Sequence, residues 1–95
     1  MDKKEIAEKK RKTVTLQRRL CKLGPMMRGS VALIGTRNKQ FYFSLNKAGR
    51  TKLIYFGRKR VDRAKEYSEN YKKLLEIVEE MTILNMELLK EDTFS

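Results

Sequence analysis

The sequence predicts an α+β domain with the element order α-β-β-β-α. Three observations predict it. A helical apolar period ends at Gly24-Pro25, three runs rich in β-branched and aromatic residues follow, and the helical period returns from Val61. Ninety-five residues make one domain, 1–95. Within it we read a basic helix over 1–23, a three-stranded sheet over 29–57 and a long heptad-like helix over 61–91.

The first helix opens on Asp2 and Glu5, spaced as a capping box: a side-chain acceptor, then a carboxylate three residues on. Ile6, Thr13, Leu16, Leu20 and Leu23 form one stripe at spacings of three and four once Lys9 is included. The stripe is convincing only from Thr13, so the first two turns are expected to fray without a partner. Gly24 is expected to supply a left-handed cap, and Pro25 cannot continue the helix.

The strand runs are Ser30 to Ile34, Gln40 to Leu45 and Thr51 to Phe56. Gly35 to Lys39 and Asn46 to Arg50 separate them, short connections carrying Gly or Asn as hairpin loops do. Gly49 is needed there for positive φ. The second strand alternates, with Phe41, Phe43 and Leu45 on one face and Tyr42 and Ser44 on the other. An antiparallel meander results, whose apolar face needs a helix to cover it.

In the last helix Leu74, Ile77, Met81, Leu84 and Leu88 follow a 3-4-3-4 spacing, a heptad seam. Tyr67 and Tyr71 extend its apolar side toward the sheet, and Leu75, Val78, Met86 and Leu89 add a second apolar edge. So wide a stripe implies two buried faces. A helix of roughly 45 Å outruns a three-stranded sheet. We therefore assign the seam to a homodimer interface of coiled-coil type. Residues 92–95 read as a frayed tail.

Charge is distributed as unevenly as structure. Between Lys9 and Val61 there is no Asp or Glu, while sixteen Lys and Arg fall in that segment. Residues 1–60 carry 18 basic and 3 acidic side chains; residues 61–95 carry 5 basic and 9 acidic. A field of one sign costs stability through self-repulsion, whereas an ordinary soluble surface mixes both signs. A polyanionic partner is the implied reason, and nucleic acid is the commonest, because neutralised phosphates release counterions.

Other function classes fare worse. Without histidine the usual base near neutral pH is missing, and one cysteine cannot build a zinc site. Cys21 reads as a small packing residue of the first helix, and its solitude fits a reducing, cytoplasmic setting. No enzyme, cofactor or metal site is expected. A 37% charged fraction and the lack of a long apolar run argue against a membrane span, and a 40% hydrophobic fraction against disorder. No secretory signal is read in MDKKEIAEKKRK.

Met27-Arg28-Gly29-Ser30-Val31, Phe41-Tyr42-Phe43-Ser44-Leu45, Gly49-Arg50-Thr51-Lys52 and the helix from Tyr71 to Leu89 together resemble a small uncharacterised prokaryotic family associated with mobile elements. The resemblance spans Met27 to Leu89 and implies the same architecture. Many relatives carry a cysteine-rich insertion between the first two strands; here that loop is five residues without cysteine, so no metal role carries over. The strand, Gly-Arg turn, strand and helix are also similar to the arm-type DNA-binding domains of tyrosine recombinases, which insert a three-stranded sheet into the major groove.

The contacts we assign to nucleic acid are Lys10, Arg11, Lys12, Arg18 and Arg19 on the first helix; Arg37, Lys39, Tyr42, Lys47, Arg50 and Lys52 on the sheet; and Arg58, Lys59 and Arg60 at the junction. Tyr42, Ser44 and Lys52, with Arg37 and Arg50, are expected to face a major groove, roughly 12 Å wide. Tyr42 is the aromatic placed to stack on a base or pack on a sugar. The first-helix cations are expected to touch phosphates only. The reading is a basic nucleic-acid-binding accessory protein of a plasmid, virus or other mobile element, with DNA favoured over RNA. The alternative is a phage-type inhibitor or adaptor that docks its basic surface on an acidic or nucleic-acid-binding groove of a larger protein complex. A ribosomal role is weaker.

Overall fold

The computed structural model describes residues 1–91; the expected tail at 92–95 lies outside them. The elements are α1 (Lys3–Cys21), β1 (Ser30–Ile34), β2 (Gln40–Lys47), β3 (Arg50–Tyr55) and α2 (Arg58–Lys90). Their order is the predicted one, and the sheet is an antiparallel meander, β1-β2-β3. The described residues divide into a sheet unit, 24–72, and a helical unit formed by 1–23 and 73–91.

In the sheet unit the alternation of β2 sets the layers. Phe43 is 4% exposed and meets Phe56 with ring centroids 6.0 Å apart. Val61, Ala64, Ser68 and Asn70 are the buried positions on the part of α2 within this unit, and the Lys65 ammonium stands 5.9 Å over the Phe41 ring. The face bearing Phe41 and Phe43 is therefore the covered one. Tyr42 lies on the opposite face, beside Tyr55.

The segment before β1 is tied to α2 through backbone groups that no strand or helix satisfies. Asn70 Nδ2 donates to the Pro25 carbonyl at 2.8 Å, Met27 N to the Tyr67 carbonyl at 3.1 Å, and Ser68 Oγ to the Gly29 carbonyl at 2.6 Å. Buried Ser68 and Asn70 thus complete a polar accounting that burial would otherwise make costly.

Several boundaries differ from expectation: α1 ends at Cys21 rather than Leu23, β3 at Tyr55 rather than Phe56, and two shifts matter more. The second connection is two residues, Ala48 and Gly49, because β2 runs on to Lys47 and β3 begins at Arg50. Both have positive φ, 54° and 76°, as a type I′ turn requires to match strand twist. Gly49 adopts this freely and Ala48 does not. Ala48→Asn should therefore stabilise the sheet unit by about 1 kcal/mol, raising Tm by about 4–8 °C; a lower Tm on thermal melting would contradict this turn. Likewise α2 begins at Arg58, so Arg58, Lys59 and Arg60 form its first turn rather than a connector.

In the helical unit Asp2, in extended conformation, accepts from the Glu5 amide at 2.8 Å, one half of the predicted box. Lys9 pairs with Glu87, and the N-terminal ammonium lies 3.4 Å from Glu91. Both pairs join residues 1–9, where the apolar stripe is weakest, to residues 87–91. At the other end Gly24 has no positive φ, contrary to expectation. The helix stops instead with Lys22 still right-handed, its N–H shared between the Arg18 and Arg19 carbonyls, before Pro25 turns Gly24 away from helical geometry.

The stripe of α1 is the side that loses solvent: Leu16 is 4% exposed, and Ile6, Lys9, Thr13, Leu20 and Leu23 are half-buried. On α2 it is Ile77, 3% exposed, with Leu74, Met81, Leu84 and Leu88 half-buried. Leu16 and Leu84 line a common cleft. The seam assigned to a dimer is thus covered within the helical unit. Leu75, Val78, Met86 and Leu89 remain exposed.

Candidate nucleic-acid interface

On α1, Lys10, Arg11, Lys12, Arg18 and Arg19 are all exposed, and they border two adjoining hollows. Lys10, Arg11 and Arg18 line a shallow groove of about 410 Å³ with Val14 and Thr15. Lys12 and Arg19, near the buried stripe, line the cleft shared with Glu80 and Leu84 of α2, and Arg11 and Thr15 border both hollows. Helix geometry sets the order around α1: positions 12 and 19 are each turned 100° from 11 and 18, so of the two hollows Lys12 and Arg19 reach only the Glu80 cleft, Arg18 only the groove, and Arg11 both. Cys21, expected as a packing residue, is exposed and lies beside Val14, Arg18 and Lys22. Its rotation of about 140° from Leu16 carries it off the buried stripe.

On the sheet the register separates the predicted contacts into two groups. Lys47 pairs with Arg50 and Leu45 with Lys52, so all three cations lie on the Phe43 face, at the β2–β3 turn. Arg28 joins this end, its guanidinium donating to the Asn46 carbonyl at 2.8 Å. Arg37 and Lys39 are in the β1–β2 loop at the other end of the strands, the end at which β3 leads into Arg58, Lys59 and Arg60. The expectation that Lys52 and Arg50 share a face with Tyr42 and Ser44 is corrected. With a two-residue turn, cross-strand partners pair odd with even numbers, which sends Lys52 to the side of Leu45. Tyr42 and Ser44 do lie on the open face.

The first turn of α2 contains no acidic residue. Three cations at a helix N-terminus oppose the macrodipole, so this end is a concentrated positive field. Arg60 and Arg63 flank a cleft of about 150 Å³ whose other walls are Met27, Phe56, Ala64 and Tyr67.

Among the described residues, the two ion pairs use only the N-terminal ammonium and Lys9 as cations. None of the cations assigned to nucleic acid, from Lys10 to Arg60, is in one. Sequence reasoning missed Arg28, Arg63 and Tyr55 as members of these surfaces. Arg28 and Arg63 were legible only as charge, and Tyr55 needed the turn length, which sets its pairing with Tyr42. No helix among the described residues is long and apolar enough to cross a membrane. Comparison with protein-family models, with curated proteins and with solved structures yields no match.

Proposed function

We propose that this chain is a small basic nucleic-acid-binding accessory protein, with DNA its favoured partner. The observation that carries the reading is the set of thirteen cations on α1, the sheet ends and the α2 junction, none of them neutralised by a carboxylate among the described residues. Such surfaces are costly to maintain without an anionic partner. The segregation of nine acidic residues into the stretch 61–95 adds to it, since the basic segment is kept free of competing charge. The resemblance of Met27 to Leu89 to a mobile-element family suggests the setting: a plasmid, virus or transposon.

The chain acts as a homodimer in this reading. Its contact is the edge of α2 left bare by the helical unit, Leu75, Val78, Met86 and Leu89, because spacings of three and four run along it once Thr82 is included. The alternative remains an inhibitor or adaptor that docks the same basic surface on an acidic or nucleic-acid-binding groove of a larger protein complex.

One titration separates the two. If about six to eight phosphates are neutralised, log K for the isolated protein should fall with log salt at a slope of roughly −5 to −7. A slope near zero, or no binding to DNA or RNA at low salt, would reject the nucleic-acid reading and leave the adaptor.

A further inference from the structure

The open face of the sheet differs in chemistry from both of its ends. Every charged strand residue, Lys47, Arg50 and Lys52, lies on the Phe43 face, so the open face carries no charge at all. At its centre Tyr42 and Tyr55 are cross-strand partners with ring centroids 5.6 Å apart and planes tilted by 59°. Tyr55 is 56% exposed, and its hydroxyl donates to Gln40 Oε1 at 3.2 Å. The ring is held from the side by Tyr42 and at its tip by Gln40, so stacking on it costs little conformational freedom. Leu53, next along the same face of β3, is 49% exposed.

We infer that this face is a stacking platform for single-stranded nucleic acid, with Tyr55 as its principal stacking residue. The inference rests on the nucleic-acid reading and names its substrate class. A duplex in contact with a sheet presents phosphates along both sides of the groove, and reading its bases draws on Arg or Lys projecting from the face. The open face offers neither. A single strand can turn its bases onto an uncharged aromatic surface while its backbone runs to cations at the edges. Cations stand at both ends here: Arg37, Lys39 and Arg58 at one, Lys47 and Arg50 at the other. The eight residues of β2 between them span about 24 Å, room for several nucleotides on the scale of known single-strand sites.

The test uses the full chain with three probes: a short oligothymidylate, an abasic phosphodiester of equal length, and a duplex of the same length. The expected result is oligothymidylate binding roughly ten-fold or more tighter than abasic strand. Tyr55→Ala should abolish that difference while leaving abasic binding and its salt slope unchanged, and Tyr55→Phe should restore it. The protein has four tyrosines and no tryptophan, so stacking is also visible in the wild-type chain, as tyrosine quenching by the base-bearing strand alone. Equal binding of base-bearing and abasic strands without quenching, or tighter binding of the duplex, overturns the platform and leaves the polyanion reading standing. No binding to any of the three at low salt overturns both.

Discussion

Replacing Gly29 with alanine should destabilise the protein by about 3 kcal/mol or more, the sum of a strained backbone and an overpacked contact. Gly29 has φ +141°, a conformation L side chains rarely adopt. A Cβ there would stand 2.5 Å from the Ser44 carbonyl oxygen and 2.7 Å from the Phe43 ring. Neither neighbour can yield cheaply. The carbonyl belongs to the backbone of the central strand, and Phe43 is the most deeply buried aromatic of the sheet unit. The Gly29 carbonyl is also the acceptor for Ser68, so moving the segment loses that bond too. A chain of this size has roughly 5–14 kcal/mol of total stability, so Tm should drop by about 12 °C or more. A Gly29→Ala protein melting within a few degrees of wild type would show that the glycine is not held against β2 in this way.

The second large effect is expected at Ile77. Aspartate at a position 3% exposed forfeits the burial of a large aliphatic and places a carboxylate among apolar groups, a loss of about 4 kcal/mol or more. The helical unit should bear it, with amide exchange accelerating across Lys3–Cys21 and the second half of α2 more than in the strands. The matched substitution is Leu89→Lys. Leu89 is 69% exposed, so this change should shift stability by no more than about 0.5 kcal/mol while weakening self-association measured by light scattering. If instead Ile77→Asp keeps the wild-type melting temperature and converts a dimer to a monomer, the seam is intermolecular after all.

Much of the candidate site was legible in the sequence as charge, and less of it as geometry. The run without carboxylates from Lys9 to Val61 needs no fold to be seen, and it picks out the cations as a set. Which cations stand together is a separate matter. One step of a helix places Lys12 and Arg19 by the cleft with Glu80 and Arg18 away from it, while Arg11 borders both hollows. Lys52 changes face with the length of a turn. Ser68 and Asn70 were passed over as ordinary polar residues of a long helix. Their bonds to the Gly29 and Pro25 carbonyls join positions 39 and 45 residues apart.

The sequence by itself determined the element order, the five-residue first loop, the alternation of β2, the need for glycine at 49 and the segregation of charge. All of these are local: a period of two or 3.6, a turn residue and a sign of charge are properties of neighbours along the chain. Only the tertiary structure decided which apolar edge of α2 is covered, which face holds Lys52, and which tyrosine lies beside Tyr42. The two edges of α2 are similarly apolar in sequence, and α1 covers the one within its reach, leaving Leu75, Val78, Met86 and Leu89 bare. The face of a strand residue depends on cross-strand register, and one residue of slip inverts it. Here the positive φ of Ala48 and Gly49 closes the turn in two residues, and that choice sets Tyr55 beside Tyr42 on a face without charge.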